Sequence, residues 1–77
     1  METFYEIVPT NSSYKYLALD ENNNHILLSK FDIEHNTTLT FKIRANADKY
    51  IEENLTTEEY KSEEIYLEET YYTDISR

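Results

Sequence analysis

No glycine occurs anywhere in the chain's 77 residues. At the usual frequency of about 7%, chance alone seldom leaves a sequence of this length without one. Glycine-rich phosphate loops are thereby excluded, because they need a backbone without Cβ to approach a phosphate closely. Cysteine is absent as well. Neither a disulfide framework nor a thiolate zinc site can then add stability. A chain this short makes one domain, 1–77, near the lower limit for a self-sufficient core. An apolar fraction of 39% with 14% aromatics, eight of them tyrosines, favours a compact monomer or homodimer over an acidic disordered tail.

The first part of the chain has the period of β-strands. In "TLTFKIR" (38–44), Leu39, Phe41 and Ile43 alternate with Thr38, Thr40, Lys42 and Arg44, the period-two pattern of a half-buried strand. "YKYLAL" (14–19) and "HILLSKF" (25–31) flank "DENNN" (20–24), a run of turn-formers that tolerate left-handed backbone angles, and together they read as a β-hairpin. "TFYEIV" (3–8) reads as a fourth strand, ended by Pro9, which cannot donate to a ladder.

After Ala45 the period changes. Asn46 can cap a helix in which Ile51 and Leu55 lie one turn apart, and Thr56 with Glu59 has the form of a capping box opening a second helical piece. The end of the chain fits two periods. A helix would place Tyr60, Glu64, Leu67 and Tyr71 on one side, with Glu64 inside an apolar stripe. A strand would place Ile65, Leu67 and Tyr71 on one face and Tyr66, Glu68 and Tyr72 on the other. Ile, Tyr and Thr favour strand, giving the expectation of a closing strand near 65–72 after a helical segment. The expected fold is α+β: a small antiparallel sheet of four to five strands, packed with one helix or a broken helix pair in the C-terminal half. Residues 1–45 form the β-rich scaffold, and 46–77 an acidic helical or strand segment.

Chemistry-bearing motifs are scarce. "DENNNH" opens like a calcium loop, but His25 stands where the sharp turn needs Gly and Phe31 where a bidentate Glu belongs, so a polar hairpin turn is expected. His25 and His35 lack metal-ligand spacing and read as surface or turn histidines, with no metal and no cofactor. No serine sits in a nucleophile elbow, and a chain this short has little scope for the deep cleft that a raised-pKa carboxyl requires. A non-enzymatic role is expected. The N-terminus has neither a basic start nor an apolar run long enough for a signal or a membrane span, which with the lack of cysteine points to the cytoplasm. The three Asn-x-Ser/Thr stretches at Asn11, Asn36 and Asn54 then read as by-products of an Asn- and Thr-rich composition.

Charge is the strongest functional signal. Residues 1–50 hold seven acids against five bases, a net −2, whereas 51–77 hold nine acids against Lys61 and Arg77, a net −7. In "IEENLTTEEYKSEEIYLEETYYTD" (51–74), Glu doublets stand at 52–53, 58–59, 63–64 and 68–69 with tyrosines between them. Charge runs are commonly only solvated faces, but solubility is served by mixed signs and this stretch is nearly single-signed. A field of this sign repels nucleic acid and anionic membranes and attracts basic surfaces. Carboxylates can then stand in for phosphates and tyrosines for stacked bases.

A short, Cys-free, strongly acidic chain rich in Asn, Lys and Tyr resembles small phage and mobile-element inhibitors, of the anti-CRISPR and DNA-mimic antirestriction types. The resemblance rests on size, overall charge and residues 51–74. It implies an inhibitor in a bacterial host's cytoplasm that occupies the DNA-binding or PAM-recognition surface of a nuclease complex and blocks it sterically. The residues expected to meet such a basic, nucleic-acid-binding partner are Glu58, Glu59, Glu63, Glu64, Glu68, Glu69 and Asp74, with Tyr66 and Tyr72 as anchors. The alternative is a small interaction or regulatory module that binds through a sheet edge or apolar face, its acidity serving solubility alone.

Overall fold

A computed structural model describes residues 2–32 and 34–67. Strand β1 (Glu2–Pro9) is followed by β2 (Lys15–Leu19), β3 (His25–Ser29) and the short β4 (Thr40–Phe41), then helix α1 (Arg44–Asn54) and strand β5 (Tyr60–Leu67). The fold is α+β, with five strands in two antiparallel sheets, where the sequence led us to expect one. One sheet has the order β4-β1-β5 and the other is the β2-β3 hairpin.

β1 is the shared spine. It pairs with β5 along its whole length, from Glu2 opposite Leu67 to Pro9 opposite Tyr60, and with β4 only at Tyr5 and Glu6. Pro9 costs this ladder nothing, because the next amide, Thr10 N–H, donates to the carbonyl of Glu59 at 2.9 Å. Alternate β1 residues enter different clusters. Ile7 packs with Leu17, Leu39 and Ile51 under the helix, with Tyr60 and Leu55 at the margin. Val8 packs with Tyr16 and Ala18 of the hairpin.

The hairpin turn forms as its composition dictates. Asp20 accepts the amides of Asn22 at 2.8 Å and Asn24 at 2.9 Å, and Asn23 takes φ 63°, the left-handed region that Asn tolerates without glycine.

The helix closes at its C-cap Leu55, just before Thr56, as the reading has it, but differs from it at the start. The strand expected over 38–44 keeps its ladder only at Thr40–Phe41, and α1 starts two residues before Asn46, from an extended Ile43 with no side-chain cap. Tertiary contacts account for this. Leu39 is buried as the alternation requires, but the turn at Lys42–Ile43 lets Ala47 and Ile51 bury against the sheet. It also sets the Arg44 guanidinium 5.0 Å over the Tyr5 ring, while Ile43 is left exposed.

The second helical piece does not form. The amides of Glu59 and Tyr60 both turn back to the carbonyl of Thr56, at 3.3 and 3.1 Å, making a single turn, and Tyr60 then opens β5. Eight residues of pairing with β1 and the packing of Tyr60 outweigh the local capping signal. The closing strand therefore starts at 60, five residues earlier than expected, with no helical segment immediately before it, and a helical reading of 60–67 is overturned. Ile65 is half-buried and Tyr66 exposed, the alternation expected of a strand. Residues 68–72 lie outside the described residues.

Candidate binding surface

β5 positions the acids, and its phase settles which way each one faces. The Thr10–Glu59 hydrogen bond makes that pair a bonded one, so bonded and non-bonded pairs alternate from there along the ladder. Lys61, Glu63 and Ile65 direct their peptide groups towards β1. Ser62, Glu64 and Tyr66 direct theirs to the outer edge. Successive side chains take opposite faces. Glu63 and Glu64, one doublet in the sequence, therefore do not share a surface.

Glu63 is drawn inwards. Directly opposite it on β1 is Glu6, whose side chain is 0% exposed. The Lys30 ammonium hydrogen-bonds Glu63 Oε1 and lies 3.8 Å from Glu6 Oε1. The other Glu6 oxygen meets His35 Nε2 at 2.9 Å, and the His35 ring stacks on Tyr16 with centroids 4.3 Å apart. The Tyr16 hydroxyl in turn accepts the amide of Asn36 at 2.9 Å. A buried carboxylate is tolerable when countered by charge and hydrogen bonds, and Lys30 and His35 supply both. His35 is thus a packed, hydrogen-bonded residue, where a surface or turn position was expected. His25 lies at the surface with Nε2 2.7 Å from the Tyr50 hydroxyl. Sequence reasoning missed the Glu6 cluster, although its signal was present: in "TFYEIV" Glu6 shares a face with Phe4 and Val8.

Glu64 remains exposed. It sits opposite Tyr5 and beside Tyr66, itself 58% exposed. The negative charge of Glu64, together with its hydrogen bond from the phenol, raises the Tyr66 pKa above its ordinary value, with desolvation and Tyr5 adding to the effect. Glu58 and Glu59 occupy the exposed turn before β5, pinned by Thr10, whose Oγ1 donates to the Glu58 carbonyl at 2.9 Å. Glu52 and Glu53 lie exposed on α1.

The doublets at 52–53, 58–59 and 63–64 thus ride on a helix, a turn and a strand, and follow no single helical row. The structure brings Glu52, Glu58, Glu59, Glu64 and Tyr66 to the surface of one helix–turn–strand unit. Among the described residues, the only ion pair made by the doublets of this unit, apart from Glu63 to Lys30, is Glu53 to Lys49 at 3.8 Å. Glu68, Glu69, Tyr72 and Asp74 lie outside the described residues.

Between α1 and β5 runs a shallow groove of about 330 Å³, lined by residues that include Asp48, Ile51, Glu52, Tyr60, Lys61 and Ser62. Ser62 Oγ donates to Asp48 Oδ1 at 2.6 Å across it. No group of three or more metal-ligating side chains is present among the described residues, and the Asp20 carboxylate is engaged by the amides of its own turn. No helix among the described residues is long and apolar enough to cross a membrane. No protein-family model, curated protein or solved structure matches the chain.

Proposed function

We propose that the protein is a non-enzymatic inhibitor that docks its acidic helix–turn–strand unit on a basic, nucleic-acid-binding surface of a nuclease complex, in the first instance a CRISPR effector. One observation carries the reading: Glu52, Glu58, Glu59 and Glu64 are exposed on consecutive elements and make no ion pair among the described residues. Like charges held this close oppose folding unless a cationic partner relieves them, and in a core this small such a cost favours a function for the charge. Carboxylates so placed meet Arg and Lys side chains that otherwise hold phosphates, and Tyr66 supplies a rigid anchor with a polar tip.

The test is target-DNA binding by purified CRISPR effector complexes with and without the protein, at low and high salt. Inhibition that weakens at high salt and vanishes in a Glu58→Lys/Glu59→Lys/Glu64→Lys variant supports the proposal. Effectors that bind DNA equally well in its presence sink it.

A second reading, a partner-binding module in which acidity serves solubility alone, draws support from the exposed aromatic pair Tyr14 and Phe31. Their rings stack with centroids 6.4 Å apart, and Phe31 is 82% exposed. A complex formed through that pair would hardly respond to salt and would be lost on Phe31→Ser.

A further inference from the structure

We propose that the groove between α1 and the outer edge of β5 accepts an extended, Lys/Arg-bearing segment of a partner protein as an added antiparallel strand. Natural proteins blunt an exposed strand edge with proline, lysine, bulges or extreme shortness. β5 uses little of this: it runs eight residues in unbroken register with β1, without proline, and its outward positions from 62 onward carry Ser, Glu and Tyr. The Tyr60 amide is already spent on Thr56. The amides and carbonyls of Ser62, Glu64 and Tyr66 have no backbone partner among the described residues, which leaves a template for six hydrogen bonds.

The groove selects charge. On the helix side it is walled by Asp48 and Glu52, with Ile51 and Tyr60 beneath, and Lys61 is its one lining cation. Residues paired across a ladder share a face. A side chain opposite Glu64 therefore meets that carboxylate, and one opposite Ser62, two residues away, meets Asp48 and Glu52. Lys or Arg at alternate positions satisfies all three acids while the backbone zips along β5, the combination of main-chain affinity and alternate-side-chain specificity that defines strand addition. A second copy fits badly, because pairing β5 with β5 would set acidic side chains of the two copies against one another.

The occupant belongs to the same basic partner as in the proposed function, but the site is read with a synthetic peptide and no nuclease. A fluorescent eight-residue peptide alternating Lys and Val is titrated into the full chain by polarisation, beside two versions N-methylated at every Lys or at every Val. In antiparallel addition the residues opposite Ser62 and Glu64 point their amides at β5. Methylating the Lys amides should therefore weaken binding on the order of tenfold or more, as a few net hydrogen bonds are worth, while Val methylation leaves it near the parent. Asp48→Asn/Glu52→Gln should weaken it several-fold, and amide shift changes should centre on Ser62, Glu64 and Tyr66. No binding, equal effects of the two methylations, weakening by Val methylation alone, or a dimer of the protein that the peptide does not dissociate would each overturn the proposal. Phase-dependent peptide binding without nuclease inhibition would leave the groove standing and remove the proposed function; the reverse result would do the opposite.

Discussion

Glu6 on β1 and Glu63 on β5 face each other across the antiparallel ladder, and the Lys30 ammonium bridges them. Two carboxylates directly opposed would repel, and Glu6 cannot recover its lost hydration by turning to solvent. Lys30, just past β3, therefore ties the hairpin to both long strands of the other sheet. His35 adds a second tie through the remaining Glu6 oxygen.

Removing the cation should expose the cost of that burial. Lys30→Met leaves Glu6 buried with only the His35 hydrogen bond, a change expected to cost about 3 kcal/mol. Adding Glu6→Leu to that variant should recover most of the loss, because a buried ion pair replaced by apolar groups is often neutral. Urea unfolding of the two single variants and the double variant measures this. A Lys30→Met cost under about 0.5 kcal/mol, the level of an ordinary surface change, would show that the ammonium does not balance the buried charge.

Period and turn chemistry made the β-scaffold legible: the alternation in "TFYEIV" and the Asn-rich "DENNN" map onto β1 and the β2–β3 turn. Local rules failed where long-range pairing decided. The Thr56–Glu59 capping box yielded one turn because Tyr60 was claimed by the core and by β1, and Ile43 left its strand because α1 had to reach Ile7 and Leu17. The doublets misled for the same reason. On a helix Glu63 and Glu64 would be near neighbours on one surface, whereas a strand sends them to opposite faces. That Glu63 meets Lys30 depends on β1 and β3 being brought together, which no spacing within residues 51–74 encodes.

The hairpin turn depends on Asn23 holding a positive φ. Asn23→Gly should be neutral or slightly stabilising, since glycine takes this angle freely. Asn23→Val should cost about 1–2 kcal/mol, the penalty for a left-handed L-residue with a branched Cβ. Thermal melts of both variants check it, and equal midpoints would show that the turn does not hold the angle described.

Tyr66 should titrate late. Its pKa is raised in the folded protein, chiefly by the Glu64 charge, so folding favours the protonated phenol. The sign follows from linkage: the contribution is fully present below the unfolded tyrosine value near 10.0 and is lost as pH climbs from there through the higher folded value. NMR titration of the Tyr66 ring should give a midpoint above that value, and Glu64→Gln should lower it. A midpoint unmoved by Glu64→Gln would mean that the carboxylate is not the cause.

Glu63 and Glu64 should respond oppositely to neutralisation, although they are adjacent in sequence. Glu63→Gln removes the carboxylate charge from the Lys30 hydrogen bond beside buried Glu6 and should lower stability by about 1 kcal/mol, the scale of a partly exposed charge-assisted bond. Glu64→Gln leaves the Lys30 network intact and should stay within about 0.5 kcal/mol of the parent. On the proposed function the order reverses for binding: Glu64→Lys should slow association with the basic partner and flatten its salt dependence, since an exposed charge acts mainly through steering. Glu63→Gln, once folded, should associate nearly as the parent does. Urea unfolding beside stopped-flow association at two salt concentrations measures both, and identical behaviour of the two variants in either assay would contradict the division of this doublet between core and surface.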